Sequence, residues 1–130
     1  MNYKIFFLTF LMFLSCNDSN LTSKIESIFD LEVSKSIKYV SKKEEWNEFN
    51  GDGYRIVNYI VEDGYNWEIQ LLMKTKGAVY RSRDYFVCSE LENAIISDSV
   101  LYLAKEKLGE SHILLYDSTQ KTFVYFYEIH

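Results

Sequence analysis

The chain has 130 residues, a formal net charge of −5, 48% hydrophobic and 17% aromatic residues, two cysteines and no proline. That length supports a single ordinary domain with one core. The acidic balance argues against nucleic acid, whose phosphates would be repelled, and against a peripheral electrostatic hold on anionic lipids.

The first sixteen residues read MNYKIFFLTFLMFLSC. Lys4 supplies one positive charge, Ile5 to Leu14 is apolar apart from Thr9, and Ser15 precedes Cys16. Asn17, Asp18, Ser19 and Asn20 then make a polar tether. A membrane-crossing helix needs about 20 apolar residues, so this shorter run suits the h-region of a signal peptide. As a folded helix it would be apolar on every side and need a large core to hide in. Phe13-Leu14-Ser15-Cys16 resembles the lipobox of bacterial lipoproteins, with Phe13 where Leu is usual. The resemblance implies that Cys16 receives a diacylglyceryl group and that cleavage removes residues 1–15. It also implies that acyl chains such as palmitate hold the protein to a membrane of the bacterial cell envelope. Two or more chains anchor stably where one does so only marginally. Loss of Lys4 lowers the charge by one, to −6. Cys88 then has no cysteine partner, and within Tyr85-Phe86-Val87-Cys88 it reads as a small buried hydrophobe.

Residues 21–130 read as one α+β domain. Leu21, Ile25, Ile28 and Phe29 fall at helical spacing and predict a helix ending near Asp30. Ser36 to Val40 alternates and predicts a first strand, followed by the charged stretch Lys42 to Glu45. Asn50-Gly51-Asp52-Gly53 holds two turn dipeptides in succession. Tyr54 to Glu62 predicts a central strand, because Ile56 and Ile60 fall on one side and Val57, Tyr59 and Val61 on the other. Asn66 as N-cap and Gly77 as C′ residue bracket a helix with Trp67, Leu71, Leu72 and Met73 as its apolar residues and Lys74 and Lys76 at its end.

Arg81 to Asp84 reads as a charged loop. Ser89 and Glu92 form a capping-box pattern that opens a short helix to Ile96. Val100 to Ala104, His112 to Tyr116 and Thr122 to Ile129 predict strands, the last two joined by a loop at 117–121. Residues 99–108 also fit a helix, since Leu101, Ala104, Lys105 and Leu108 follow a 3.6-residue period. In the final strand Phe123, Tyr125, Tyr127 and Ile129 share one face, and Val124 and Phe126 the other. The expected architecture is an antiparallel sheet of about five strands, with an N-terminal hairpin, a C-terminal meander and two or three short helices.

Chemistry-bearing motifs are sparse. The two histidines, His112 and His130, show no HxxH or HExxH spacing and there is no CxxC, so no metal site is expected. Asn50-Gly51-Asp52-Gly53 lacks the later oxygen ligands of a calcium loop. No GxSxG and no glycine-rich loop opening a helix is present, so no cofactor and no catalytic residue is assigned. Aromatic residues concentrate at 46–67 and 116–127. Trp46, Phe49, Asp52, Tyr54 and Trp67 form a candidate binding patch, because amphipathic rings grip glycans, peptides and protein partners. Sheet core and cross-strand pairing compete for the same rings. Arg81 and Arg83 beside Tyr80 and Tyr85 are either a small anion site or a solvated loop.

The expected function is that of a small acidic envelope lipoprotein, a non-catalytic module that binds a protein or an envelope component. The alternative is an inhibitor or immunity protein against a toxin or hydrolase. Phe49-Asn50-Gly51-Asp52-Gly53-Tyr54 before a strand is similar to a short pattern in small bacterial envelope and immunity-like proteins. A small hydrolase ranks last. Metabolic labelling with a clickable fatty acid should tag the wild-type chain and leave Cys16→Ala unlabelled; equal labelling of the two would overturn the anchor.

Overall fold

The computed structural model describes residues 21–86 and 97–130. Residues 1–20, where the sequence predicts a lipobox and a tether, together with Cys88 and the Ser89/Glu92 capping pattern, lie outside the described residues. One antiparallel sheet holds six strands: β1 (Ile37–Trp46), β2 (Gly53–Val61), β3 (Val79–Ser82), β4 (Ser99–Lys107), β5 (Glu110–Asp117) and β6 (Thr122–Ile129). Their order is β1-β2-β6-β5-β4-β3. Helix α1 spans residues 21–29 and α2 spans Asn66–Thr75. The class is α+β with the sheet dominant. The N-terminal hairpin and the C-terminal meander are both present.

The expected five strands become six because Val79–Ser82 pairs with β4, where a charged loop was expected from Arg81 onwards. A four-residue edge strand carries too little alternation to be seen in sequence, and edges tolerate charge. Residues 99–107 are strand, which removes the helical alternative. β1 also runs on through Lys42, Lys43, Glu44 and Glu45 to Trp46, its outer row largely exposed.

Alternation divides the core in two. Val57, Tyr59 and Val61 of β2, Phe123, Tyr125 and Tyr127 of β6, Leu114 and Tyr116 of β5 and Leu101 of β4 face the helices. Leu21, Ile25, Ile28 and Phe29 from α1, and Ile69 and Met73 from α2, pack onto them. On the opposite face Ile56, Val100, Leu115, Val124 and Phe126 join Phe86 in a second cluster.

Helix α2 departs from the expected pattern in two ways. Tyr65, not Asn66, occupies the N-cap position, and no side chain caps it. Its buried residues are Ile69 and Met73, whereas Trp67 and Leu71 point to solvent. The C-terminus follows expectation. Gly77 has φ of 100°, its N–H donates to Lys74 O, and the Ala78 N–H donates to Met73 O. Those two bonds are a Schellman motif, which needs the left-handed conformation that glycine adopts freely.

β1 contains a bulge between Tyr39 and Ser41. Before it, Ile37 and Tyr39 pair with Val61 and Tyr59 on the helix face. After it, the parity flips, and Lys42, Glu44 and Trp46 take that face opposite Val57, Arg55 and Gly53. The Trp46 ring lies over Gly53, where an added Cβ would overlap that ring and the Glu45 carbonyl oxygen. Gly53→Ala should therefore lower the urea-unfolding free energy by about 1–3 kcal/mol, the usual cost of overpacking. A variant as stable as wild type would refute this account of the hairpin.

Candidate functional site

β4, β5 and β6 place Tyr102 and Glu106, Ser111 and Ile113, and Phe126 and Glu128 on the face away from the helices, each pair spaced by strand alternation. With Tyr85 and Phe86 from the 3-10 turn that follows β3, these residues line a groove of about 450 Å³. One end is aromatic. Tyr85 and Phe86 meet edge-on at 5.5 Å, and each packs against Tyr102, at 5.3 and 5.8 Å. Arg81 stacks on Tyr85 at 4.7 Å and on Tyr102 at 6.0 Å. Burial, then the hydrogen bond with the Tyr85 hydroxyl, pushes Tyr102 up to about 12, so it stays a neutral donor.

The other end is acidic. Ser111 Oγ lies 3.1 Å from Glu106 Oε1 and 2.9 Å from His130 Nε2, and His130 Nδ1 lies 3.0 Å from Glu128 Oε1. The order hydroxyl, imidazole, carboxylate is also that of an activated serine. Here, however, the one hydroxyl proton of Ser111 has two acceptors. When it goes to Glu106, Nε2 must carry a proton to meet the hydroxyl, so His130 cannot serve as its base, and holding Glu128 through Nδ1 as well takes a proton on both ring nitrogens. The chain then works as a clamp that holds two carboxylates together at the groove end. The groove is thus polarised, with Arg81 behind its aromatic end and Glu106 and Glu128 at the other.

A second hollow, of about 750 Å³, lies between α1, residues 31–36 and the start of α2. Two of its four carboxylates, Glu26 and Asp30, are already engaged. Glu26 Oε2 accepts from Val33 N at 3.0 Å and Ser34 Oγ at 3.2 Å, and Asp30 pairs with Lys76 at 2.8 Å.

The candidate patch read from the sequence does not assemble. Trp46 lies on the helix face, 6.0 Å from the Tyr127 ring and beneath Arg55, which bonds Glu44 at 2.8 Å. Phe49 is fully exposed at the hairpin tip, and the Asp52 carbonyl accepts from Asn47 N in the same loop. Tyr54 lies on the opposite face, stacked on Phe126 at 6.2 Å. Trp67 sits on α2, which follows the end of β2 remote from Gly53. The groove residues went unrecognised because Tyr102, Glu106, Ser111 and Glu128 come from three strands and meet only through register; their one sequence signal is the shared i, i+2 parity. Among the described residues, no group of three or more His, Cys, Asp or Glu side chains is placed to hold a metal.

Directly behind the groove, on the helix face, His112 is buried between Tyr125 and Tyr127. Its Nδ1 lies 2.8 Å from the Tyr125 hydroxyl and its Nε2 3.1 Å from Glu110, which also accepts from the Tyr127 hydroxyl at 3.3 Å. A neutral ring satisfies this set: Nε2–H donates to Glu110 and Nδ1 accepts from Tyr125. Lys24 of α1 sits 3.8 Å above the Tyr127 ring, lowered first by burial and then by repulsion from Arg55. Burial likewise lowers His112, outweighing its bond to Glu110.

The unfolded chain protonates His112 near 6.5 while the folded protein resists until lower pH, so stability falls as pH drops below about 6.5. A separate acid limb below about 4.5 belongs to Glu44, lowered by its bond from Arg55, Glu110, lowered by its bond from His112, and Asp30, lowered by its bond from Lys76. Thermal unfolding from about pH 7 to pH 5 should show the first limb, and His112→Phe should lose part of it. An identical pH slope in the variant would clear His112 of the effect. Comparison with protein-family models, curated proteins and solved structures finds no match to this chain.

Proposed function

We propose that the chain is a lipid-anchored protein of the bacterial cell envelope whose groove binds a partner presenting a cationic group on an apolar body. The observation that carries the reading is the join, in one groove, of an aromatic end to two clamped carboxylates. Rings attract ammonium and guanidinium groups through their faces and apolar bodies through their area. The carboxylates add charge complementarity at one end, and Arg81 behind the other end fixes direction: apolar body towards Tyr85 and Phe86, cation towards Glu106 and Glu128. A lysine or arginine side chain of a protein partner has this chemistry, which also serves the inhibitor or immunity reading. The address rests on Cys16 and the signal-like segment before it.

A matched pair of small probes separates the parts of this reading. Benzyltrimethylammonium and its neutral isostere neopentylbenzene differ in charge but hardly in shape. Backbone amide shifts at Tyr102, Ser111 and Phe126 should respond to the cation with roughly tenfold tighter binding, a gain of about 1.4 kcal/mol. The double variant Glu106→Gln, Glu128→Gln should remove most of the difference, leaving what the rings contribute. Equal binding of both probes would discard the cationic partner, and no shift with either would discard the groove.

A further inference from the structure

Helix α2 leaves an apolar stripe on its outer side. Trp67 is 73% exposed and Leu71, one turn on, 53%. Lys74 continues the stripe and reaches across to β3, where its Nζ lies 5.2 Å from the ring of Tyr80, itself 53% exposed. Helix burial does not account for these side chains, because Ile69 and Met73 already fill the core-facing side. Tryptophan, leucine and tyrosine beside lysine are the residues that settle at a headgroup boundary, rings and stem in the apolar layer and polar tips in water.

We infer that this outer side of α2 rests on the membrane surface to which Cys16 is anchored. The inference depends on the lipid-anchor reading above. Four residues separate Cys16 from Leu21, so the anchored sulfur stays within about 18 Å of the start of α1 at full extension. α1 and α2 form one layer on the same face of the sheet, and a bilayer held that close to α1 meets this layer. Lys74 complements lipid phosphate beside one exposed carboxylate on α2, Glu68, whereas Glu106 and Glu128 stand together at one end of the opposite face, where anionic lipid is repelled. With α2 on the lipid, the groove opens into the aqueous compartment.

The two tryptophans make the test direct. The full chain, acylated in cells, is placed in phosphatidylethanolamine–phosphatidylglycerol vesicles that contain brominated acyl chains, and its intact mass is recorded. In a Trp46→Phe background the fluorescence of Trp67 should be quenched roughly twofold and shifted to the blue. In a Trp67→Phe background Trp46, which lies on the same face beside Tyr127 but is only partly exposed, should be quenched less than Trp67. Acylated protein with an unquenched Trp67 overturns the membrane contact; if that Trp67 is also shielded from aqueous iodide, a protein partner covers it instead. A mass without acyl chains overturns the anchor, and this inference with it.

Discussion

The position of β6 is the constraint on which the rest of the domain depends. It enters between β2 and β5, so residues 122–129 join the N-terminal hairpin to the meander. Both of its faces are buried: Phe123, Tyr125 and Tyr127 on one side and Val124 and Phe126 on the other. The pairing of Ile56 with Phe126 closes a long loop of chain. Such closure costs entropy before any contact repays it, which makes this a slow-forming but cooperative join. Until β6 docks, neither the helix-side core nor the groove has its central wall.

The sheet then separates two kinds of work. The helix face is closed by α1 and α2 and carries a buried, hydrogen-bonded set of ionisable groups at its Glu110 end. The opposite face carries the groove. His112 stands at the boundary, since its residue lines the groove while its ring is held between tyrosines on the other side. Packing around that ring therefore fixes the backbone that floors the groove, an instance of one layer pre-organising another.

Much of this fold was legible in the sequence. The alternation in β6, the glycine-rich turn after β1, the helix-ending Gly77 and the pairing of the last three long strands are local signals, and the chain obeys them. What escaped was decided at a distance. The bulge near Val40 flips the parity of β1 and carries Trp46 to the face opposite Tyr54, so residues close in sequence part company in space. The apolar side of α2 could not be chosen by composition, because Trp67 and Leu71 match Ile69 and Met73 in hydrophobicity; only docking on the sheet selects between them. The groove needs three strands in register, and register is a property of the pairing rather than of any one segment.

The two ends of the sheet carry one further consequence. β3 covers only the Ser99–Tyr102 part of β4, leaving the outer side of Leu103–Lys107 without a neighbouring strand among the described residues. That stretch holds Lys105, Glu106 and Lys107, and the other edge, β1, holds Lys42, Lys43, Glu44 and Glu45. Charges in such rows blunt the tendency of an open edge to template a strand from another copy. For a chain held in a membrane plane, as the proposed anchoring requires, neighbours share two dimensions and meet edge to edge far more often than in free solution. The charged rows would then keep a crowded lawn of these domains as separate molecules instead of a continuous ribbon.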